Sequence, residues 1–304
     1  MALNGWKKMP PDSTAEAAWL PPHAATSTPP GDEKSLRRHE QLSRARSQAD
    51  AWRVEPAELL RTLIENEIIP RLLQQCGIGA DTEMVSDFIT LLQEPDPDSA
   101  IRMVEDAASA GAAIETLLLD LLAPAARRLG AMWSDDRTDF VTVTTAGFHL
   151  QQVLRHLGPD FRRAPTRPAH HERALFADCP GAQHTFGVMM LAEFFRRDGW
   201  QVQHPAITRP AELGALVRRK SFSLAGISVG CDDHIDAARQ CVATMRRHTS
   251  NAAMLIMVGG AAIIERPELV DEIGADFTAT DGRQAVLIAR LRVRAAQSAG
   301  QSAG

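Results

Sequence analysis

The chain has 304 residues, of which 44% are hydrophobic and 23% are charged, and its formal net charge at pH 7 is −5. This length allows two domains plus tails, because a globular domain has about 150 residues. The negative net charge argues against nucleic acid as the main partner, since phosphate binding needs a clustered basic surface.

The cysteine pattern and the absence of long apolar runs exclude several classes of protein. The four cysteines form no Cys-x-x-Cys pair, so neither a zinc site nor a disulfide framework is indicated. No apolar run approaches the roughly 20 residues of a membrane helix, and the N-terminus lacks the apolar core of a signal peptide. These features predict a cytoplasmic protein with no membrane partner.

The first part of the chain differs in composition from the rest. Residues 1–54 are rich in proline, serine, threonine and charge, with the pairs Pro10-Pro11, Pro21-Pro22 and Pro29-Pro30. Such a segment buries too little apolar surface to offset the entropy lost on ordering. We therefore predict a disordered N-terminal extension.

A helical domain is predicted over residues 55–160. Apolar residues recur at helical spacing from Pro56 to Leu72. Further helices are predicted over residues 82–93, 98–111, 113–133 and 139–157. Short connections between amphipathic helices indicate a small antiparallel bundle.

Residues 170–296 change to alternating strands and helices. Strands are predicted over residues 173–177, 201–205, 224–229, 254–258 and 276–279. Mostly apolar strands separated by helices predict an α/β domain, a Rossmann-like, doubly wound parallel sheet of five strands. Residues 297–304 are predicted to be a disordered tail.

The turn after the first predicted strand carries a single histidine, His184, between Gly181 and Gly187. In a parallel α/β sheet, ligands bind outside the carboxyl ends of the strands, which is where this turn lies. A neutral imidazole is a common metal ligand. The turn therefore predicts a metal or cofactor site.

Small residues follow two further strands, as Ser228-Val229-Gly230 and Gly259-Gly260. Glycine lets a bulky group lie against the backbone because it has no Cβ atom. No Gly-x-Gly-x-x-Gly follows the first strand, which disfavours a dinucleotide site. No P-loop, nucleophile elbow or HExxH motif is present either, so the chain is not expected to be an enzyme.

The motifs at the strand ends, in their order and spacing, resemble the cobalamin-binding Rossmann-like domain, and the bundle before them resembles the cap that covers the corrin in that family. The resemblance implies cobalamin as the cofactor and His184 as the lower axial cobalt ligand. It also implies these pocket residues: Gly181, Gln183, Thr185, Gly187, Ser228, Gly230, Gly259 and Gly260.

Two departures from the family pattern narrow the expected function. Ala182 stands where the family has an acid that orients the histidine, which counts against a catalytic methyl carrier. Val143-Thr144 stand where the CarH-type adenosylcobalamin sensors have Glu-His, so that photochemical apparatus is absent. The hydroxo or aquo form of cobalamin is therefore favoured.

The helical domain carries Trp133-Ser134-Asp135-Asp136, Phe140-x-x-Val143-Thr144 and Phe148-His149-Leu150-Gln151. These segments resemble the AerR/PpaA antirepressors of purple phototrophic bacteria, which have a CarH-like cap and cobalamin-binding domain without a DNA-binding domain. The resemblance implies that Trp133, Val143, Thr144 and Phe148 line the upper side of the pocket.

The same resemblance implies a photoreceptor-like, light- or redox-responsive regulator of photosynthesis genes. Its partner would be a photosystem repressor of the CrtJ/PpsR type, and direct contact with DNA is not expected. A shift of the cap against the sheet domain would carry the signal to the partner surface.

Several alternatives remain open at this stage. His149 is either a buried helix histidine or the upper axial cobalt ligand, and His234 is a rival metal ligand. The chain as a whole could instead be a corrinoid protein that carries methyl groups for a methyltransferase. It could also be a heme sensor on the same fold, with His149 or His184 binding the iron.

Overall fold

The computed structural model describes residues 82–163, 165, 170–182 and 185–301. The predictions for the N-terminal extension, for the helix from Pro56 to Leu72 and for Gln183 and His184 lie outside the described residues. Within the part of the chain that the structure describes, no helix is both long and apolar enough to cross a membrane.

The first described half is a helical cap, as predicted. Its helices are α1 (Thr82–Leu92), α2 (Asp98–Ser109), α3 (Ile114–Thr116), α4 (Ala123–Ser134) and α5 (Phe140–Arg163). A π-helical segment, Leu117–Leu122, joins α3 to α4. Pro124 lies two residues after this segment and has no amide hydrogen, so the regular helical hydrogen bonding is interrupted there. Long apolar side chains, among them Phe88, Leu122 and Leu150, are fully buried between the helices.

The second half alternates strands with helices around a parallel sheet. Its elements are β1 (Arg173–Asp178), α6 (Phe186–Arg197), β2 (Gln201–Gln203), α7 (Pro210–Arg219), β3 (Leu224–Ser228), α8 (Ile235–His248), β4 (Leu255–Gly259), α9 (Ala261–Glu265), α10 (Leu269–Ile273) and α11 (Gly282–Gln301). The strand order is β2-β1-β3-β4, and all neighbouring strands are parallel. The structure confirms the predicted Rossmann-like α/β fold.

The prediction of a full fifth strand is wrong, because the sheet has four strands among the described residues. Within the described residues, the segment 276–279 makes a single parallel bridge, between Phe277 and Met257 of β4. The side chain of Asp276 explains the short pairing, because its Oδ2 accepts a hydrogen bond from the backbone N–H of Ile256 at 2.6 Å. A carboxylate thus replaces the backbone carbonyl that a longer strand would supply.

Two of the helix predictions differ from the structure. The helix predicted over 261–273 is split into α9 and α10, and Pro267 lies in the break because it cannot continue a helix. The helix α11 continues to Gln301, so residues 297–301 of the predicted disordered tail are helical.

The two faces of the sheet bury different helices. Phe176 of β1 packs edge-on against Phe195 of α6, with ring centroids 4.8 Å apart. Leu175, the adjacent residue, belongs to the apolar cluster under α7 and α8. Gly226 lies beside Phe176 on the α6 side, and a Cβ there would be 2.6 Å from the Cδ1 atom of Phe176. Only glycine therefore fits at that point of the sheet.

The cap helices α3 and α5 contact the sheet domain at α6 and α11. Glu115 of α3 forms ion pairs with Arg197, at 2.6 Å, and with Arg283 of α11. Phe161 of α5 packs edge-on against Phe194 of α6, with centroids 5.0 Å apart. These contacts hold α5 alongside α6, which begins immediately after the histidine turn.

Candidate functional site

The carboxyl edge of the sheet carries a row of three residues in register. Asp178 of β1 is paired with Ser228 of β3, and Ser228 with Gly259 of β4. Residues two apart on a strand share a face, so Asp178 lies on the same side of the sheet as Phe176 and the helix α6. These three paired residues therefore face the side of the sheet that α6 covers.

The glycines around this row leave room for a ligand. A Cβ added to Gly259 would have no atom within 4 Å, and the same is true of Gly230 and of Gly187 in the first turn of α6. Gly260 is different, because its φ is +105° and an added Cβ would lie 2.3 Å from the carbonyl oxygen of Val229. Gly260 is thus required by the backbone, whereas Gly259 faces open space.

The histidine turn is described on both sides of Gln183 and His184. It begins with a hydrogen bond from the N–H of Ala182 to the carbonyl of Cys179, at 2.9 Å, and Gly181 has a φ of +90°. Thr185 precedes the first residue of α6. The side chain of Ala182 packs against the apolar cluster under α7 and α8, so this position serves packing.

Asp178 and His204 form a polar pair that the sequence analysis missed. The Nε2 atom of His204 lies 3.2 Å from Oδ2 of Asp178. The other carboxylate oxygen, Oδ1, is buried and has no hydrogen-bond partner among the described residues. A charged residue at the end of an otherwise apolar strand was the available signal.

Two cysteines and His234 lie close to the same edge. The Cys231 sulfur is 3.4 Å from Nδ1 of His234, and the thiol of Cys179 donates to the backbone oxygen of His234 at 3.3 Å. Burial raises the pKa of the Cys179 thiol to about 11, with further contributions from Cys231 and Asp178. The thiol is therefore protonated at neutral pH. No group of three or more potential metal ligands occurs within the described ranges.

An exposed, largely apolar surface of the cap adjoins the histidine turn. Phe140, Thr144, Phe148 and Gln151 are spaced four, four and three residues apart, so they share one face of the helix, here called the α5 face. Phe140 and Phe148 are 60% and 56% exposed. The amide of Gln151 donates to the hydroxyl of Thr185 at 3.4 Å, which joins this face to the turn.

Trp133, at the end of α4, enlarges the α5 face. It is 40% exposed, and its ring packs edge-on against Phe140 with centroids 6.0 Å apart. Val143 lies elsewhere on the helix, half-buried against the bundle core. Of the four upper-pocket residues predicted in the cap, the structure thus brings Trp133, Thr144 and Phe148 together and places Val143 apart.

His149 points into the cap and away from the α5 face. The residue is 5% exposed, and its Nδ1 atom is 3.0 Å from the backbone oxygen of Leu92 in α1. Phe148 and His149 therefore project in different directions from the same helix, the first toward solvent and the second into the cap. In this structure His149 is buried in the cap, and its role as an upper cobalt ligand stays a prediction.

The carboxyl edge of the sheet and the α5 face together offer a surface for a large, flat ring system that carries a long side chain. The α5 face offers exposed aromatic rings, which favour an apolar ring system. Below it, Gly187 and Gly259 face open space, and Asp178 offers an unused acceptor.

Comparisons with known proteins agree with this fit. Residues 172–288 match the family model of the B12 binding domain. An uncharacterized 20.5 kDa protein in the bchF-crtJ intergenic region of Rhodobacter capsulatus is 30% identical over 168 residues, or 55% of this chain and 87% of that protein. The monomethylamine corrinoid protein of Methanosarcina barkeri has a similar fold, with a TM-score of 0.59 and 15% identity, covering 68% of this chain and 97% of that one.

Proposed function

We propose a regulatory function for this chain, which belongs to the cobalamin-binding proteins of the AerR/PpaA type. The protein binds cobalamin in its hydroxo or aquo form and acts as a light- or redox-responsive antirepressor. Its partner is a photosystem repressor of the CrtJ/PpsR type, and the chain is not an enzyme. The chromosomal place of the Rhodobacter relative, between bchF and crtJ, supports this choice of partner.

The observation that carries the proposal is the α5 face, which is exposed and joined to the histidine turn through Gln151 and Thr185. Exposed phenylalanines on a folded domain mark a surface that binds something apolar. Because this face adjoins the edge of the matched B12-binding domain, we assign it to the upper side of the corrin. Trp133 and Phe148 would contact the ring there.

The chain's residues divide the binding task between the two domains. His184 would be the lower axial ligand, and the row of Ser228 and Gly259 would accept the nucleotide tail, with Gly260 shaping the backbone beside it. Bound cobalamin supplies absorption of visible light and an axial position that can exchange its ligand. The protein holds the group between the cap and the sheet.

The signal would pass through the contacts that join the two domains. The α5 face would hold the corrin, and the contact of Gln151 with Thr185 joins this face to the histidine turn. The ion pairs of Glu115 with Arg197 and Arg283 lie on the same boundary between cap and sheet domain. A shift of these contacts would alter the surface offered to the repressor, as in other ligand-biased two-state elements.

The direct test is cobalamin uptake followed by repressor binding. We expect the purified full chain to bind hydroxocobalamin with a changed visible spectrum, and pigment extraction after expression to yield corrin and no heme. The loaded protein should bind a purified CrtJ/PpsR-type repressor with an affinity that differs between dark and illuminated samples. Heme in the extract, or formation of methylcobalt with turnover by a methyltransferase, would contradict the proposal.

A variant of the α5 face tests the placement of the ring. Phe148→Asp should lower the affinity for hydroxocobalamin by at least about tenfold, because a carboxylate would be buried against the apolar ring. Asp160→Ala, an exposed change on the same helix, is the matched control. Equal affinities of both variants, measured by spectral titration, would place the ring elsewhere.

His149 offers a test of the upper ligand. Because its ring faces Leu92, His149→Asn should leave the spectrum of the loaded protein unchanged, since the asparagine amide can replace Nδ1 as partner of the Leu92 carbonyl. His149→Leu should lower the free energy of unfolding by about 1–2 kcal/mol, because that carbonyl loses its partner. A spectral change in the asparagine variant would instead make His149 a cobalt ligand.

A further inference from the structure

The unpartnered oxygen of Asp178 is a feature of the carboxyl edge that neither the fold nor the family match explains. Its Oδ2 atom is paired with His204, while Oδ1 is buried without a hydrogen-bond partner in the described part of the chain. A buried carboxylate oxygen without a donor is costly, because it has lost its water and gained nothing in return. Such an atom in a ligand crevice indicates that the donor comes with the ligand.

We propose that Asp178 is a specificity-determining residue that accepts a hydrogen bond from the nucleotide tail of the bound corrinoid. This inference rests on the proposed cobalamin site. Asp178 lies outside the histidine and glycine motifs, and it would select a ligand group that is a hydroxyl or N–H donor.

The position of Asp178 supports contact with an entering chain. It lies at the carboxyl end of β1, in register with Ser228 and Gly259, and the space in front of Gly259 is open. A group that enters at Gly259 and follows the row past Ser228 reaches Asp178 on the α6 side of the sheet. His204 fixes the carboxylate from the side of β2.

The charge of Asp178 determines which part of the ligand can lie there. An ionised carboxylate only accepts hydrogen bonds, so it disfavours a phosphate and favours a ribose hydroxyl or a base N–H. The amide groups of the corrin ring are a second source of such donors. The tail is favoured because the Asp178 side chain is only 14% exposed at the end of β1, so little of it is open to a large ring system.

The test compares two ligands that differ in the tail. Hydroxocobalamin carries the nucleotide, whereas aquocobinamide has the same corrin amides and lacks it. Asp178→Ala in the full chain should lower the affinity for hydroxocobalamin by about ten- to a hundredfold, the worth of a hydrogen bond to a charged group. Its affinity for aquocobinamide should stay within about twofold of the unaltered chain, a difference within the usual scatter of such energies.

Asp178→Asn keeps an acceptor oxygen in the same place. Its affinity for hydroxocobalamin should therefore lie between those of the unaltered chain and of Asp178→Ala. Unchanged affinity of Asp178→Ala for hydroxocobalamin would overturn the proposal, and an equal loss for both ligands would overturn the assignment to the tail. Thermal unfolding of each variant distinguishes a folding defect from the loss of one contact, because a misfolded variant would have a lower unfolding temperature and would bind both ligands more weakly. A wild-type chain that binds neither ligand would contradict the proposed function itself.

Discussion

Replacing His184 by alanine should abolish axial coordination of cobalt by the protein. In this fold the turn after β1 lies at the carboxyl edge of the sheet, where ligands of parallel α/β domains bind. His184 follows Ala182 in that turn, and it is the only histidine between β1 and α6. Without its imidazole, the turn would offer no histidine nitrogen to hold the cobalt.

Electron paramagnetic resonance of the cobalt(II) state measures this directly. The splitting caused by the axial nitrogen should change when the protein is labelled with ¹⁵N-histidine, and this dependence on the label should disappear in His184→Ala. His234→Ala is the matched control, because His234 also lies beside the turn, with Nε2 3.8 Å from a Cβ placed on Gly181. A label effect that persists in His184→Ala and is lost in His234→Ala would reverse the assignment.

Adding one methyl group to Gly260 should destabilise the whole sheet domain. The residue has φ +105° and ψ 174°, a region that only glycine occupies readily. The new Cβ would also lie 2.3 Å from the Val229 carbonyl, a backbone atom that cannot move away without distorting β3. We expect Gly260→Ala to lose about 3 kcal/mol or more of unfolding free energy, measured by urea denaturation.

The adjacent glycine provides the matched control with the opposite expectation. Gly259→Ala should change the unfolding free energy by less than about 1 kcal/mol, because its Cβ meets no atom within 4 Å. The same methyl group fills the space in which the nucleotide tail is proposed to lie, so the affinity for hydroxocobalamin should fall. Equal stability losses in the two variants would show that the edge is more plastic than its geometry indicates.

The fold was predictable because its local signals agree. Apolar spacing indicated the cap helices, and the strands β1, β3 and β4 were short apolar runs, of which β3 and β4 end in small residues. The error at residues 276–279 arose because an acidic side chain, Asp276, took a backbone donor of Ile256. A hydrogen bond between residues twenty positions apart leaves no mark in the local pattern.

The site was predictable only in part, for a similar reason. Glycines and His184 are visible as motifs, yet the roles of Gly259 and Gly260 differ through a neighbour, Val229, that belongs to another strand end. Asp178 and His204 are 26 residues apart, and only the pairing of β1 with β2 brings them together.

The histidines of the chain show most clearly which features depend on the local sequence and which depend on tertiary packing. The sequence by itself determined the order of the elements, the family, and the place of His184 in the turn after the first strand, because these depend on local periodicity and spacing. Whether His149 faces the cofactor or the core depended on how α5 rotates against α1. The His149 ring is buried against the carbonyl of Leu92, a residue 57 positions earlier in the sequence. Only the tertiary packing determines this orientation.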